Sequence, residues 1–151
     1  MSVQFAEEVA ANLERAQRSL EAARQLETGL YYDFAAGRAY YAAFYAATAL
    51  LLHDGVKMSR HSGVIAAIHQ RYIKTGKLDR TQGKSLNWLF ELRSVGDYGG
   101  LAHVSRTEVE QAITMAAGFL QSVLGLLRGP SDDSQGDDTA ASLSRSMDNR
   151  G

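Results

Sequence analysis

The chain has 151 residues, of which 45% are apolar and 22% charged, and its formal net charge is −1. This composition is typical of one globular domain and excludes collagen-like, fully disordered and purely coiled-coil chains. The absence of cysteine excludes disulfides, thiolate metal sites and cysteine nucleophiles. The N-terminal segment carries acids where a signal peptide needs basic residues, and the longest apolar stretch, residues 39–52, is too short to span a bilayer. We therefore expect a cytoplasmic protein without membrane contact.

The charge is unevenly distributed along the chain. Residues 55–106 hold nine Lys or Arg against three acidic residues, a net +6, whereas residues 1–54 and 129–151 each carry −3. A basic segment of this size is typical of a surface that binds a polyanion such as nucleic acid. The alternative is a solvated surface on which acidic and basic residues balance in space.

The first 128 residues are rich in Ala, Leu and Glu and contain no proline, which predicts helix almost throughout. The first helix is predicted from Val3 to Glu27. Its apolar stripe consists of Val9, Leu13, Ala16, Leu20 and Ala23. The second helix, Tyr32 to His53, is apolar on nearly every face, so we expect it to be the central element of the fold.

A shorter third helix is predicted from His61 to about Ile73, with Ser59 as its N-cap. Asp79 is the predicted N-cap of a fourth helix that runs to about Val95 and is followed by a glycine-rich elbow. The residues expected to face inward from these two helices are Val64, Ile65, Ile68, Leu86, Leu89 and Phe90.

The last helix is predicted to start near Thr107, with a capping box formed by Thr107 and Glu110. Its predicted buried face is Ile113, Ala117, Leu120, Leu124 and Leu127. Residues 1–128 thus form an all-α domain, an up-and-down bundle of four to five helices. Residues 129–151 form an acidic tail of Ser, Asp, Gly and Asn, predicted to be disordered because it has almost nothing to bury.

The sequence holds no HExxH motif, no Glu-x-x-His pair, no P-loop and no GxGxxG fingerprint. We therefore expect neither a metal ion nor a cofactor. One candidate site opens the third helix, where Arg60 and His61 lie beside free backbone N–H groups that suit a phosphate. The alternative for this segment is a helix cap with incidental surface charge.

A second candidate site combines Arg93, Asp97 and Tyr98 at the predicted end of the fourth helix. Gly96 is expected to interrupt the helix, so that Tyr98 folds back beside Arg93. The alternative is an Arg93–Asp97 ion pair that closes the helix end, with Tyr98 in the core.

Three segments in order resemble the HEPN (higher eukaryotes and prokaryotes nucleotide-binding) family: YYAAFYAATALLL, RHSGVIAAIHQRYIKTGKLD and LFELRSVGDYGG. The resemblance covers about residues 5–127 and is greatest to small standalone bacterial and archaeal members. It implies a helical bundle that forms a homodimer, with an Arg-containing motif from each subunit at a shared cleft. Active members are metal-independent ribonucleases, often toxins paired with a minimal nucleotidyltransferase antitoxin.

The signature of active members is an Arg followed four to six residues later by His. Arg93 matches the Arg, but Tyr98 stands where the His is expected, and the next histidine downstream is His103. The resemblance makes Arg93, Asp97 and Tyr98 the catalytic candidates. Arg60, His61 and His103 are candidates for contact with RNA.

In the paired systems the nucleotidyltransferase can silence its partner by attaching nucleotide to a tyrosine near the motif, and Tyr98 occupies a comparable place. We therefore expect an RNA-binding, toxin-like protein that acts as an endoribonuclease at a dimer cleft. The alternative is a non-catalytic interaction module that pairs with a nucleotidyltransferase. Five tyrosines are interpreted as core or interface residues: Tyr31, Tyr32, Tyr40, Tyr41 and Tyr45.

Overall fold

The computed structural model describes residues 5–129. Within that range the chain forms five helices and no strand, so the predicted all-α bundle is confirmed. The predicted tail lies, from residue 130 onward, outside the described residues. The helices are α1 (Ala6–Thr28), α2 (Tyr32–His53), α3 (His61–Ile68, continued by a π-helical turn at His69–Ile73), α4 (Arg80–Tyr98) and α5 (Arg106–Arg128).

Helix α2 is the centre of the bundle and packs against all four other helices. Eight of its buried residues are alanines, which let the neighbouring helices approach closely. Its bounds and its central position agree with the prediction. On α1 the predicted stripe also faces inward, with Ala16, Leu20 and Ala23 buried and Val9 and Leu13 half-buried.

Helix α4 begins as predicted but ends later. The Asp79 carboxylate accepts a hydrogen bond from the Thr81 backbone N–H, the expected N-cap. The prediction that Gly96 interrupts the helix was wrong, because α4 continues through Gly96 to Tyr98. A Cβ at Gly96 would lie 2.6 Å from the Asp33 carbonyl oxygen, so this glycine allows α4 to cross the start of α2 at close range. Phe90, predicted to be buried, is half-buried.

Two predicted N-caps were also wrong. Helix α3 is capped by Arg60 in an extended conformation without a side-chain hydrogen bond, rather than by Ser59. The capping box of α5 is formed by Ser105 and Glu108, two residues earlier than predicted, and this pair has the same Ser/Thr-x-x-Glu spacing as the predicted one. Just before it, the Val104 backbone N donates to Asp33 Oδ1 at 2.8 Å.

The buried face of α5 also differs from the predicted one. Of the predicted face, Ile113 and Leu120 are buried, whereas Ala117, Leu124 and Leu127 are half-buried. The other buried residues of α5 are Val109, Ala112, Ala116, Phe119 and Val123.

By length and hydropathy alone, α5 would be long and apolar enough to span a bilayer. A core helix of a bundle meets the same two criteria, and α5 packs its buried face along α2. The expectation of a protein without membrane contact stays a prediction.

Candidate anion-binding site around Arg93

Arg93 lies on α4, where the unbroken helix places it one turn before Asp97. Its Nε lies 2.9 Å from Asp97 Oδ2, and its Nη2 donates a hydrogen bond of 3.3 Å to the Tyr41 hydroxyl on α2. The side chain is 18% exposed, so the guanidinium is partly withdrawn from water but open on one side. The Arg93–Asp97 ion pair of the alternative interpretation is therefore present.

Three tyrosine rings surround this guanidinium. Its Cζ lies 5.9 Å from the ring centroid of Tyr40, 5.7 Å from that of Tyr41 and 5.9 Å from that of Tyr98. At these distances the electron-rich rings stabilise the cation without occupying its N–H donors. Tyr98 is 77% exposed and is thus not the core residue that the ion-pair alternative assumed.

The hydrogen-bonding capacity of Arg93 is largely unused. A guanidinium carries five N–H donors, and the contact with Tyr41 is the one hydrogen bond that Arg93 makes among residues 5–129. Although Nε is close to Asp97, its N–H is not aligned with the carboxylate, and it is the one buried side-chain polar atom of the described residues without a hydrogen bond. A partly desolvated arginine with spare donors is suited to bind a phosphate or carboxylate.

His61, the first residue of α3, lies beside Arg93 within the same aromatic cluster. Its ring stacks on Phe44 at a centroid distance of 4.3 Å and meets Tyr41 edge-on at 5.7 Å. Burial, and secondarily the positive charge of Arg93, lower the pKa of His61. His61 is therefore neutral at pH 7, and its ring lies in the aromatic cluster rather than beside the exposed Arg60 side chain.

The contact of His61 with Tyr40 indicates which ring nitrogen carries the proton. The Tyr40 side chain is fully buried, and this burial raises the pKa of its phenol, which stays protonated. Within the described residues its hydroxyl has one hydrogen-bond partner, His61 Nδ1 at 2.7 Å. The hydroxyl therefore donates to Nδ1, and the proton of the neutral imidazole is on Nε2, which leaves an N–H donor in the aromatic cluster that contacts Arg93.

His103 lies elsewhere, on the connection between α4 and α5. Its Nδ1 donates to Asp33 Oδ2 at 2.8 Å, while the Val104 N–H donates to Asp33 Oδ1. Burial would raise the pKa of Asp33, but these hydrogen bonds and the charge of His103 outweigh it and lower that pKa. The structure thus brings His61, Asp97 and Tyr98 to Arg93, whereas it places His103 against the start of α2.

Two residues of the site were not singled out from the sequence. Tyr41 was interpreted only as core or interface, yet it is half-buried and binds Arg93. Arg38 was not considered, although its Cζ lies 4.7 Å above the Tyr41 ring. The available signal was their spacing, because residues 38, 41 and 45 follow one another on a single face of α2.

Among residues 5–129, no three His, Asp or Glu side chains are grouped in a way that could hold a metal ion. The chemistry that the site offers is hydrogen-bond donation from Arg93 and His61, with the Asp97 carboxylate as a potential proton acceptor.

Comparison with known proteins shows similarity over most of the chain. The HEPN domain family profile matches residues 9–126. A UPF0332 protein of Thermotoga maritima is 41% identical over 75% of this chain and 86% of its own length. The protein named "Putative toxin MJ0142" of Methanocaldococcus jannaschii is 30% identical over 89% of this chain and 96% of its own length.

Two crystal structures share the fold. TT1696 from Thermus thermophilus superposes with a TM-score of 0.68 at 21% identity, and ST0689, described as an archaeal HEPN homologue, does so with a TM-score of 0.58 at 23% identity. Each comparison covers 78% of this chain and 96% of the other.

Proposed function

The chain belongs to the HEPN domain family, and from this premise we propose that it is a toxin-like protein that binds RNA, with Arg93 contacting a phosphate. The observation that carries the proposal is the half-buried guanidinium of Arg93, whose N–H donors make one hydrogen bond, to Tyr41, among residues 5–129. A phosphodiester supplies the negative oxygens that these donors lack. The relative named "Putative toxin MJ0142" supports the same class of function.

We further propose that the bound RNA is cleaved without a metal ion. The 2′-oxygen attacks the adjacent phosphorus, a 2′-O–P bond forms, and the bond from phosphorus to the 5′-oxygen breaks. Arg93 and the Nε2–H of His61 stabilise the charge that develops on the phosphoryl oxygens. The half-exposed Asp97 carboxylate accepts the 2′-hydroxyl proton, and water protonates the leaving 5′-oxygen.

A homodimer would place two copies of Arg93 at one cleft, and the apolar surface supports this arrangement. The close approach of Gly96 to Asp33 puts the start of α2 next to the end of α4. Large apolar side chains are exposed on these two segments and the loops beside them: Leu30, Tyr31, Phe34, Tyr98 and Leu101. Exposed apolar residues concentrated at one end of a small bundle are suited to association with a second copy.

The exposure of Tyr98 favours a second function, an interaction module for a minimal nucleotidyltransferase. Its phenol is accessible, and its ring lies 5.9 Å from the Arg93 guanidinium carbon. A nucleotide attached to Tyr98 would bring its phosphate to Arg93 and occupy the place proposed for RNA. Attachment of a nucleotide to Tyr98 would silence the protein if it is a ribonuclease, and would modify it as a partner if it is non-catalytic.

The test is to induce the protein alone and to measure growth and RNA integrity, with Arg93→Ala and Tyr98→Phe at matched soluble levels. Arg24→Ala, an exposed arginine on α1, is the matched control. Growth arrest with RNA cleavage that is lost only in Arg93→Ala supports the ribonuclease. Intact RNA from a folded protein that does not bind RNA contradicts the proposal, and retention of a nucleotidyltransferase by the same protein then supports the interaction module.

A further inference from the structure

A groove between α1 and α2 brings together three arginines outside the site described above. Its volume is about 290 Å³. The lining residues are Arg15, Arg18, Ser19, Ala22, Arg38 and Tyr45. Three guanidinium groups along one groove repel one another, so this surface is suited to a ligand that carries more than one negative charge.

The protein itself neutralises these arginines weakly. Arg18 lies 3.9 Å from Glu14, and both side chains are largely exposed, so the pair contributes little. Neither Arg15 nor Arg38 forms an ion pair with an acidic residue among residues 5–129. The Ser19 hydroxyl donates to the Arg38 carbonyl oxygen at 2.7 Å and joins the two helices along the groove. The arginines are therefore carried on a fixed framework and remain available to a ligand.

The groove is linked to the site around Arg93 through Arg38 and Tyr41. Arg38 lies over the ring of Tyr41, and Arg93 donates to the hydroxyl of the same tyrosine. Because each guanidinium carbon is within 6 Å of that ring centroid, the two are no more than about 10 Å apart. Two cations this close can contact neighbouring phosphates of one strand.

We propose that the groove lined by Arg15, Arg18 and Arg38 binds the phosphate backbone of single-stranded RNA that continues from the phosphate held by Arg93. The inference rests on the proposed function and adds the path of the strand. Tyr41 and Tyr45, whose ring centroids are 6.0 Å apart, lie between and beside the arginines. A cationic groove with adjacent aromatic rings is the arrangement that proteins use for single strands, because the rings stack on unpaired bases. The planar guanidinium groups suit the successive phosphates of a nucleic-acid backbone, and for this reason we assign the groove to RNA.

The test measures the affinity of the full chain for a short labelled oligoribonucleotide. Fluorescence anisotropy with a 2′-O-methyl strand, which cannot be cleaved through its 2′-oxygen, separates binding from activity. Arg15→Ala and Arg38→Ala are expected to raise Kd about tenfold each, as expected for a lost charged hydrogen bond. Each variant should also reduce the slope of log K against log salt by about 0.7 per lost phosphate contact. Arg24→Ala, on the same helix but outside the groove, should leave both quantities unchanged.

The outcomes separate the two proposals. If Arg93→Ala weakens binding but the groove variants do not, the inference is overturned and the proposed function stands. If the folded wild-type protein binds no RNA, both fail. Equal weakening by Arg24→Ala, or tighter binding of the matching duplex, also contradicts a single-strand groove. Arg18→Ala is a further groove variant. Like Arg15→Ala, and unlike Arg38→Ala, it leaves the contact between Arg38 and Tyr41 intact.

Discussion

The hydroxyl of Tyr40 lies 2.7 Å from Nδ1 of His61, and this contact joins the buried face of the central helix to the first residue of α3. It ties the half-buried His61 of the candidate site to the buried Tyr40 of the core. The site therefore depends on the packing of three helices: α2 supplies Tyr40 and Tyr41, α3 supplies His61, and α4 supplies Arg93.

Tyr40→Phe should destabilise the protein by about 1–2 kcal/mol, because it leaves His61 Nδ1 without its donor in a partly buried position. The loss of this donor should also raise the pKa of His61, since the hydrogen bond favours the neutral ring. Urea unfolding and an NMR titration of the histidines measure the two effects. Tyr31→Phe removes a hydroxyl from an exposed ring and is the control. An equal loss of stability in both variants would contradict the stabilising role of the hydrogen bond between Tyr40 and His61.

The lowered pKa of His61 predicts a dependence of stability on pH. Above an ordinary histidine pKa of about 6.5, the ring is neutral in both the folded and the unfolded chain. As the pH falls below this value, the unfolded chain takes up the proton first, so the free energy of unfolding decreases. Denaturant midpoints compared near pH 7.5 and near pH 5 should show this decrease in the wild-type protein and a smaller one in His61→Phe.

Gly96→Ala should cost about 2–3 kcal/mol, because the added Cβ would lie 2.6 Å from the Asp33 carbonyl oxygen and force the two backbones apart. The matched control is Gly118→Ala on α5, where a Cβ meets nothing within 4 Å. This control should gain about 0.5–1 kcal/mol from the higher helix propensity of alanine. A Gly96→Ala protein as stable as the wild type would contradict the close crossing of α2 and α4.

Asp33→Ala should cost about 1–2 kcal/mol by leaving the Val104 N–H without an acceptor and His103 without its partner. Asp33→Asn retains an acceptor for Val104 and should lose less. Because the pKa of Asp33 is lowered in the folded protein, its charge stabilises the fold above an ordinary pKa of about 3.9, and this contribution is lost as the pH falls through the folded value. The difference between the wild type and Asp33→Ala should therefore shrink on acidification, which unfolding curves at several pH values would reveal.

The elements of the fold that were predictable are those with strong local signals. Helix α2 was bounded correctly because its apolar run is followed by Asp54 and Gly55, and Asp79 was identified as a cap because its side chain acts on a backbone N–H two residues away. The end of α4 was predicted wrongly because a glycine in a helical sequence can either end the helix or allow a neighbouring helix to pack closely. Only the neighbouring Asp33, distant in sequence, shows that Gly96 serves close packing.

In the candidate site, too, the local contacts were predictable and the contacts between distant residues were not. The Arg93–Asp97 pair is local, being one helical turn apart, and was anticipated. The contacts of Arg93 with Tyr41 and of His61 with Tyr40 join residues 52 and 21 positions apart, and no spacing rule reveals them. Apolar periodicity also favours interpreting the tyrosines of α2 as core, and this holds for Tyr40 but conceals the role of Tyr41.

The outer N–H groups of Arg93 bear on how fast a ligand is captured. Among residues 5–129 they have one hydrogen-bond partner, the Tyr41 hydroxyl, so an anion gains hydrogen bonds to the remaining donors without first breaking one within the protein. The receptor is in this respect preorganised, and little reorganisation is needed on binding. Association should then be governed by diffusion and ionic strength rather than by a slow rearrangement of the helices.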